Sequence, residues 1–178
     1  RELNTDAWMF GKNTVRAVFP ERFDTSGITI STDAPAVFIG ERLSERMFIV
    51  ADPDGDIRFT SGTLRGDNIL VILGRNVMEE YLAPLREMRI SYIIVNDATN
   101  LRKGLEVAGS AFGIRSVSVQ GGGMLNGALL AGGLIDELSL VVYPGIDGLA
   151  GIPSIFEYAG GATDFPAKGQ NLELLSVE

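Results

Sequence analysis

Cysteine and histidine are both missing from the 178 residues. Without cysteine there is no disulfide framework, no thiol nucleophile and no cysteine-based metal site. Without histidine the usual zinc ligand sets and every histidine-dependent nucleophile triad fall away as well. Chemistry must then come from carboxylates, lysine, tyrosine, serine or threonine, the backbone or a bound cofactor, and no metal is expected. Positive charge is also scarce: 15 basic against 23 acidic residues leave a net charge of -8. That balance opposes binding to nucleic acid or to an anionic membrane, while leaving open a small anion held by local groups. No apolar run approaches the roughly 20 residues that span a bilayer, and no signal peptide opens the chain, so a cytoplasmic protein is expected. The chain is 46% hydrophobic with a mean hydropathy of +0.19, enough to bury one sizeable core, and residues 1–178 read as a single domain. Both ends look trimmed: Arg1 opens as if internal, and Leu172 to Glu178 break off in a strand pattern.

The most organised stretch runs from Ser116 to Leu130. Val117 and Val119 alternate with polar residues as in a strand, and Leu125, Ala128 and Leu129 fall on one helical face. Gly121, Gly122 and Gly123 lie between the two patterns. A strand-to-helix junction of this kind suits an anion, because the first helical N–H groups lack partners and glycine lets a phosphate approach the backbone.

Earlier in the chain, Ala7 to Phe10 form a short apolar run ending at Gly11, followed by Lys12, Asn13, Thr14, Val15 and Arg16. This is either a second anion contact or a solvated helix start. Pro20 to Pro35 is loop-like, with a short strand expected at Ile28 to Ile30. Strands are expected at Arg46–Ala51, Ile69–Leu73 and Ser91–Val95, and turns at Asp52–Asp56 and Asn96–Thr99. The acidic turn lacks the later glutamate of a calcium loop and reads as solvated. Asn76 with Glu79 suggests a capped helix start, and Val77 to Met88 carries a helical stripe that Pro84 should kink or divide. Leu101, Leu105, Ala108 and Phe112 mark a helix stopped by Gly113. After the glycine turn and its helix, Glu137–Tyr143 alternates as a further strand. The order β-α-β-α-β-α-β predicts an α/β fold with a largely parallel sheet covered by helices on both faces.

The glycines do not complete either familiar phosphate motif. Asn126 stands where a dinucleotide fingerprint needs its third glycine, and no Gly-Lys-Ser/Thr occurs anywhere. A third reading, an NAD-type Rossmann dehydrogenase, is correspondingly weak. A different match is specific. Val119 to Leu130, followed by Gly133-Leu134-Ile135-Asp136-Glu137-Leu138 and Pro144, closely resembles the carboxyl-terminal reductase domain of bacterial riboflavin-biosynthesis deaminase-reductases. Phe10 to Val15 resembles that family's Gly-x-x-Thr-Val segment, and Val50-Ala51-Asp52 its strand ending in Asp.

The resemblance implies a three-layer dihydrofolate-reductase-like fold and an NADPH-dependent reductase acting on a ribosylaminopyrimidine or related small heterocycle, commonly as a homodimer. It implies pyrophosphate contacts at Gly121, Gly122, Gly123, Met124, Leu125 and Asn126, with Thr14 and the Gly11 junction as a further NADP contact. Lys12 and Arg75 are the cations whose chemistry suits the cofactor 2′-phosphate, and both could equally be solvated. The family's first strand is expected before Arg1 and its last hairpin after Glu178. Two departures bear on the substrate: Gln120 replaces the family's substrate-contacting Glu, and Val18 replaces an NADP-contacting Asp. Arg22 is near the family's phosphate-binding position but out of register. Gln120 and Asp52 are the candidate substrate-binding residues, Asp52 reading equally as a turn carboxylate capping Gly55 or as solvated, and no catalytic proton donor is assigned. The alternative from another class is a non-catalytic, dimeric nucleotide-binding module of the same fold.

Overall fold

The structure is a computed structural model, and it describes residues 4–25, 36–96, 101–146, 148, 150–161 and 163–177. The strand expected at Ile28 to Ile30, and most of the turn at Asn96 to Thr99, lie outside the described residues. In chain order the elements are β1 (Ala7–Gly11), α1 (Lys12–Val15), β2 (Val37–Phe38), β3 (Met47–Ala51), β4 (Thr63–Leu64), β5 (Asp67–Gly74), α2 (Glu79–Glu87), β6 (Ser91–Val95), α3 (Leu101–Phe112), β7 (Val117–Val119) and α4 (Gly123–Ala131). The strands form one sheet in the order β2-β6-β5-β3-β1-β7, with β4 also paired to β5. Four pairs are parallel, β1 with β3 and β7, and β5 with β3 and β6, whereas β2 on β6 and β4 on β5 are antiparallel.

Strands β3 and β5 are apolar on both sides because both faces of the sheet are covered. One face packs Phe48, Val50, Val71 and Tyr92 under Val15 of α1 and Tyr81, Leu82 and Leu85 of α2. The other packs Met9, Ile49, Leu70 and Ile93 under Leu101, Ala108 and Phe112 of α3 and Leu125 and Leu129 of α4. This is the three-layer α/β arrangement that the alternating pattern predicts.

Three sequence expectations are corrected. Pro84 does not divide its segment: α2 is one helix with Pro84 inside, held by the buried stripe Tyr81, Leu82 and Leu85 on either side of it. The cap expected from Asn76 and Glu79 is not used, since Met78 occupies the cap position without a side-chain hydrogen bond. Glu137 to Tyr143 is not a strand, and the final residues up to Val177 show no strand either. Val141 is 88% exposed and Ile146 99% exposed. Alternation fixes which side chains share a face, but a strand also needs a neighbour to receive its hydrogen bonds. None is present for these segments among the described residues.

Candidate functional site

The two glycine-bearing junctions, far apart in sequence, meet in space. Strands β1 and β7 are parallel neighbours, so both chains leave the sheet at the same end, where open α/β sheets form their ligand crevices. A Cβ built on Gly11 would lie 3.4 Å from Leu125 Cβ and 3.9 Å from the Gly121 carbonyl. A Cβ built on Gly122 would lie 3.5 Å from Thr14 Oγ1. The Gln120 N–H donates to the Met9 carbonyl at 2.9 Å, carrying the β7 pairing to the edge of the turn.

The turn itself requires glycine. Gly121 and Gly122 have φ of 95° and 90°, a region that L side chains rarely adopt. Gly122 caps α4 without a side-chain hydrogen bond, and no acidic residue stands in the helix's first turn. The helix therefore starts with backbone donors and no carboxylate of its own sequence neighbours competing for them.

Gly123 and Gly127 are small for a different reason. Residues 154–157 lie across this face of α4: the Glu157 N–H donates to the Gly123 carbonyl at 2.9 Å, and Asn126 Nδ2 donates to the Ile155 carbonyl at 2.8 Å. A Cβ on Gly123 would come within 2.7 Å of the Ser154 carbonyl and 2.8 Å of Glu157 Oε2, and one on Gly127 would collide with the Glu157 backbone. Sequence reasoning missed this strap, because residues 144–166 carry no periodic pattern. The spacing of Gly123 and Gly127, one helical turn apart, is the signal that something crosses close by.

The remaining candidates separate clearly. Met124 is exposed, whereas the Leu125 side chain is buried in the core, so that only its backbone faces the turn. Lys12 is ion-paired with Asp54 and lies 3.9 Å from Asp56, which also pairs with Arg16. Arg75 is exposed just past the end of β5, two strands from β1 in the sheet order and so about 10 Å across it. Gln120 is exposed at the turn, and its Nε2 donates to Ser118 Oγ at 2.7 Å.

Asp52 is fully buried at the end of β3. Its Oδ2 accepts hydrogen bonds from the N–H groups of Asp56 and Ile57 and from the Tyr81 hydroxyl, at 3.1, 3.1 and 3.0 Å. The carboxylate thus closes the 52–56 turn and ties it to α2. Its Oδ1, with Asp56 Oδ1 and Arg16 Nε, is buried with no hydrogen-bond partner among the described residues. Burial pushes the Asp52 pKa up to about 6, against the opposing pull of the Ile57 N–H, and the nearby Asp56 charge adds to the rise. Burial, and then the Asp52 charge, likewise lift the Tyr81 phenol well above its ordinary value.

A cleft of about 560 Å³ lies at the other end of α4, between Gly132, Gly133, Tyr158 and residues 163–170. It is remote from the glycine turn and holds none of the candidate residues. No group of three or more Asp and Glu side chains able to hold a metal occurs among the described residues, and none of their helices is long and apolar enough to cross a membrane.

No curated protein matches the chain. The RibD C-terminal domain, a riboflavin-biosynthesis reductase-type domain of dihydrofolate-reductase-like fold, matches residues 2–178. With essentially the whole length matched, and with the mostly parallel sheet, flanking helices and glycine turn in place, the chain belongs to the RibD C-terminal domain family.

Proposed function

We propose that the protein is an NADPH-dependent reductase of the riboflavin-biosynthesis type, transferring hydride to a ribosylaminopyrimidine or a related small heterocycle. The observation that carries this reading is the meeting of Thr14 with the Gly121–Gly122 turn at the shared end of β1 and β7. The residues suit a pyrophosphate on that side: two glycines without Cβ atoms, the start of α4 and a hydroxyl 3.5 Å from where a Cβ on Gly122 would stand. On the opposite side, Gly123 is already covered by residues 154–157.

In this reading Gly11, Gly121 and Gly122 shape the cradle, the backbone of Gly123, Met124 and Leu125 supplies donors, and Thr14 adds a hydroxyl. Asn126 holds the 154–157 strap, through Ile155, against the helix. Arg75 is the cation available for a 2′-phosphate, since Lys12 would have to leave Asp54. The cofactor supplies the hydride, and the protein supplies position and a polar surrounding. Gln120 orients the substrate edge. Asp52, closed into its turn, acts by fixing the loop beside Lys12 and Arg16 rather than by touching substrate. The working form is a cytoplasmic homodimer, a proposal supported by the exposed apolar run from Leu138 to Ile146.

The second reading, a non-catalytic dimeric module that binds the nucleotide, is favoured by one specific observation. Gln120 is uncharged and Asp52 is buried, so neither offers an accessible carboxylate at the turn. NADPH oxidation in the presence of pyrimidine, pterin and aldehyde acceptors decides between the two. Turnover with a heterocycle, together with tighter binding of NADPH than of NADH, is the expected result. Tight NADPH binding with no oxidation by any acceptor would establish the module instead.

A further inference from the structure

We propose that the 154–157 strap is a built-in competitor for anions at the glycine turn: it carries the Glu157 carboxylate to the start of α4, where that charge weakens a phosphate bound from the Thr14 side. The proposal concerns the regulation of the cofactor cradle and rests on that reading. Glu157 is not among the site candidates drawn from the sequence.

The strap is fixed to the helix at two points. The Glu157 N–H donates to the Gly123 carbonyl at 2.9 Å, and Asn126 Nδ2 donates to the Ile155 carbonyl at 2.8 Å. Gly123 is the first residue of α4, and a Cβ built there would stand 2.8 Å from Glu157 Oε2. A side chain at position 123 would push the carboxylate away, so the glycine is what lets it approach. Glu157 is half-buried, and none of the ion pairs among the described residues includes it. Its charge is set against the helix end and not against a cation.

That end carries roughly half an elementary positive charge. No acidic residue stands in the first turn of α4, so the acid that its field holds comes from the distant strap. A phosphate on the Thr14 side draws on the same field. The two anions do not touch, because the strap covers Gly123 on one side while Thr14 Oγ1 faces Gly122 on the other. They repel through space, and Lys12, already paired with Asp54, adds no free cation between them. Linkage makes the effect reciprocal: the seated carboxylate weakens the anion by the same factor by which the anion unseats the carboxylate. A charged cofactor therefore loosens a strap that it does not contact.

Calorimetric titration of the full chain with inorganic pyrophosphate tests the charge. At low ionic strength Glu157→Gln should bind it about three- to fivefold more tightly than the unmodified protein, and Glu157→Lys more tightly still. Salt at about 0.5 M should bring the three affinities together, whereas a strap that obstructed the turn by its bulk would keep them apart. Hydrogen exchange supplies the reciprocal measurement. Pyrophosphate should lower the protection of the residue 157 amide in the unmodified protein and leave it unchanged in Glu157→Gln. Equal affinities of the unmodified protein and Glu157→Gln, a difference that salt does not reduce, or an amide that pyrophosphate leaves equally protected would overturn the competitor and leave the cradle standing. Failure of pyrophosphate to bind any of the three proteins would remove the cradle reading and the competitor with it.

Discussion

Thr14 and Gly122 stand against each other at the shared end of two parallel strands, with Thr14 Oγ1 3.5 Å from where a side chain at Gly122 would begin. Each residue contributes separately to the proposed cradle. The Gly122 backbone, at φ 90°, exposes the start of α4, and the hydroxyl faces the opening. Thr14→Val keeps the shape and removes the hydroxyl, so cofactor affinity should fall by about 1 kcal/mol, roughly fivefold, while Thr14→Ser should restore most of it. Gly122→Ala should instead cost about 1–3 kcal/mol of stability through its backbone conformation alone. Calorimetric titration and chemical denaturation of the three variants separate the two effects.

The parts of this fold that were legible in the sequence are those whose determinants are local. The continuous apolar runs in β3 and β5 and the stripe Leu101, Leu105, Ala108 and Phe112 each announce their own environment, and α3 ends at Gly113, whose φ is 71°, as its composition predicts. The glycine turn was legible for the same reason. Two-residue strands β2 and β4 were not, because so short a segment has no period. The strap at 154–157 was invisible, since its partners Gly123 and Gly127 lie about 30 residues earlier. Glu137 to Tyr143 marks the converse failure, in which a correct alternation implies a strand whose partner the described residues do not supply. In the site, Asp52 was read as substrate-facing, as a turn carboxylate capping Gly55 or as solvated; it is a turn carboxylate, but its donors are Asp56, Ile57 and Tyr81, and the last of these only the fold brings close.

Asp52 gives a pH dependence with a definite sign. Its folded-state pKa, about 6, is raised above the ordinary aspartate value of 3.8, so the folded state holds this proton more tightly than the unfolded one. The resulting stabilisation is complete below about pH 4 and is lost as pH rises through about 6. Asp52→Asn keeps an acceptor for the three donors and cannot ionise. The stability difference between this variant and the unmodified protein should therefore move by up to about 3 kcal/mol in favour of the variant between pH 4 and pH 7. Urea denaturation across that range measures it, and a constant difference would show that Asp52 titrates normally.

The proposed homodimer places its strongest demand on Leu138 to Ile146. Val141, Val142 and Ile146 are 88%, 81% and 99% exposed, an apolar run that water does not favour. Replacing Val142 with Glu should weaken self-association by at least tenfold, because a carboxylate in an apolar contact is left desolvated and unpaired. Sedimentation velocity over a concentration series reads the change. A protein that is monomeric at every concentration, with or without the substitution, would remove the dimer from the reading.

Gly127 offers a test in which two local effects oppose each other. Alanine in a helix interior is favoured over glycine by about 1 kcal/mol, so Gly127→Ala should strengthen α4 considered alone. The added methyl group would, however, run into the backbone carbonyl of Glu157, and main chain anchored by the Glu157 N–H donating to the Gly123 carbonyl cannot turn aside as a side-chain tip can. The strap has to lift. Hydrogen exchange should then show the Glu157 amide losing its protection while the α4 amides keep or gain theirs. Gly133 supplies the contrast: nothing lies within 4 Å of its Cβ position, and its φ is 59°, so Gly133→Ala should strain the helix end and leave Glu157 protected. Equal protection of Glu157 in both variants would mean that the strap does not depend on the glycine face of α4, and that Gly127 is small for some other reason.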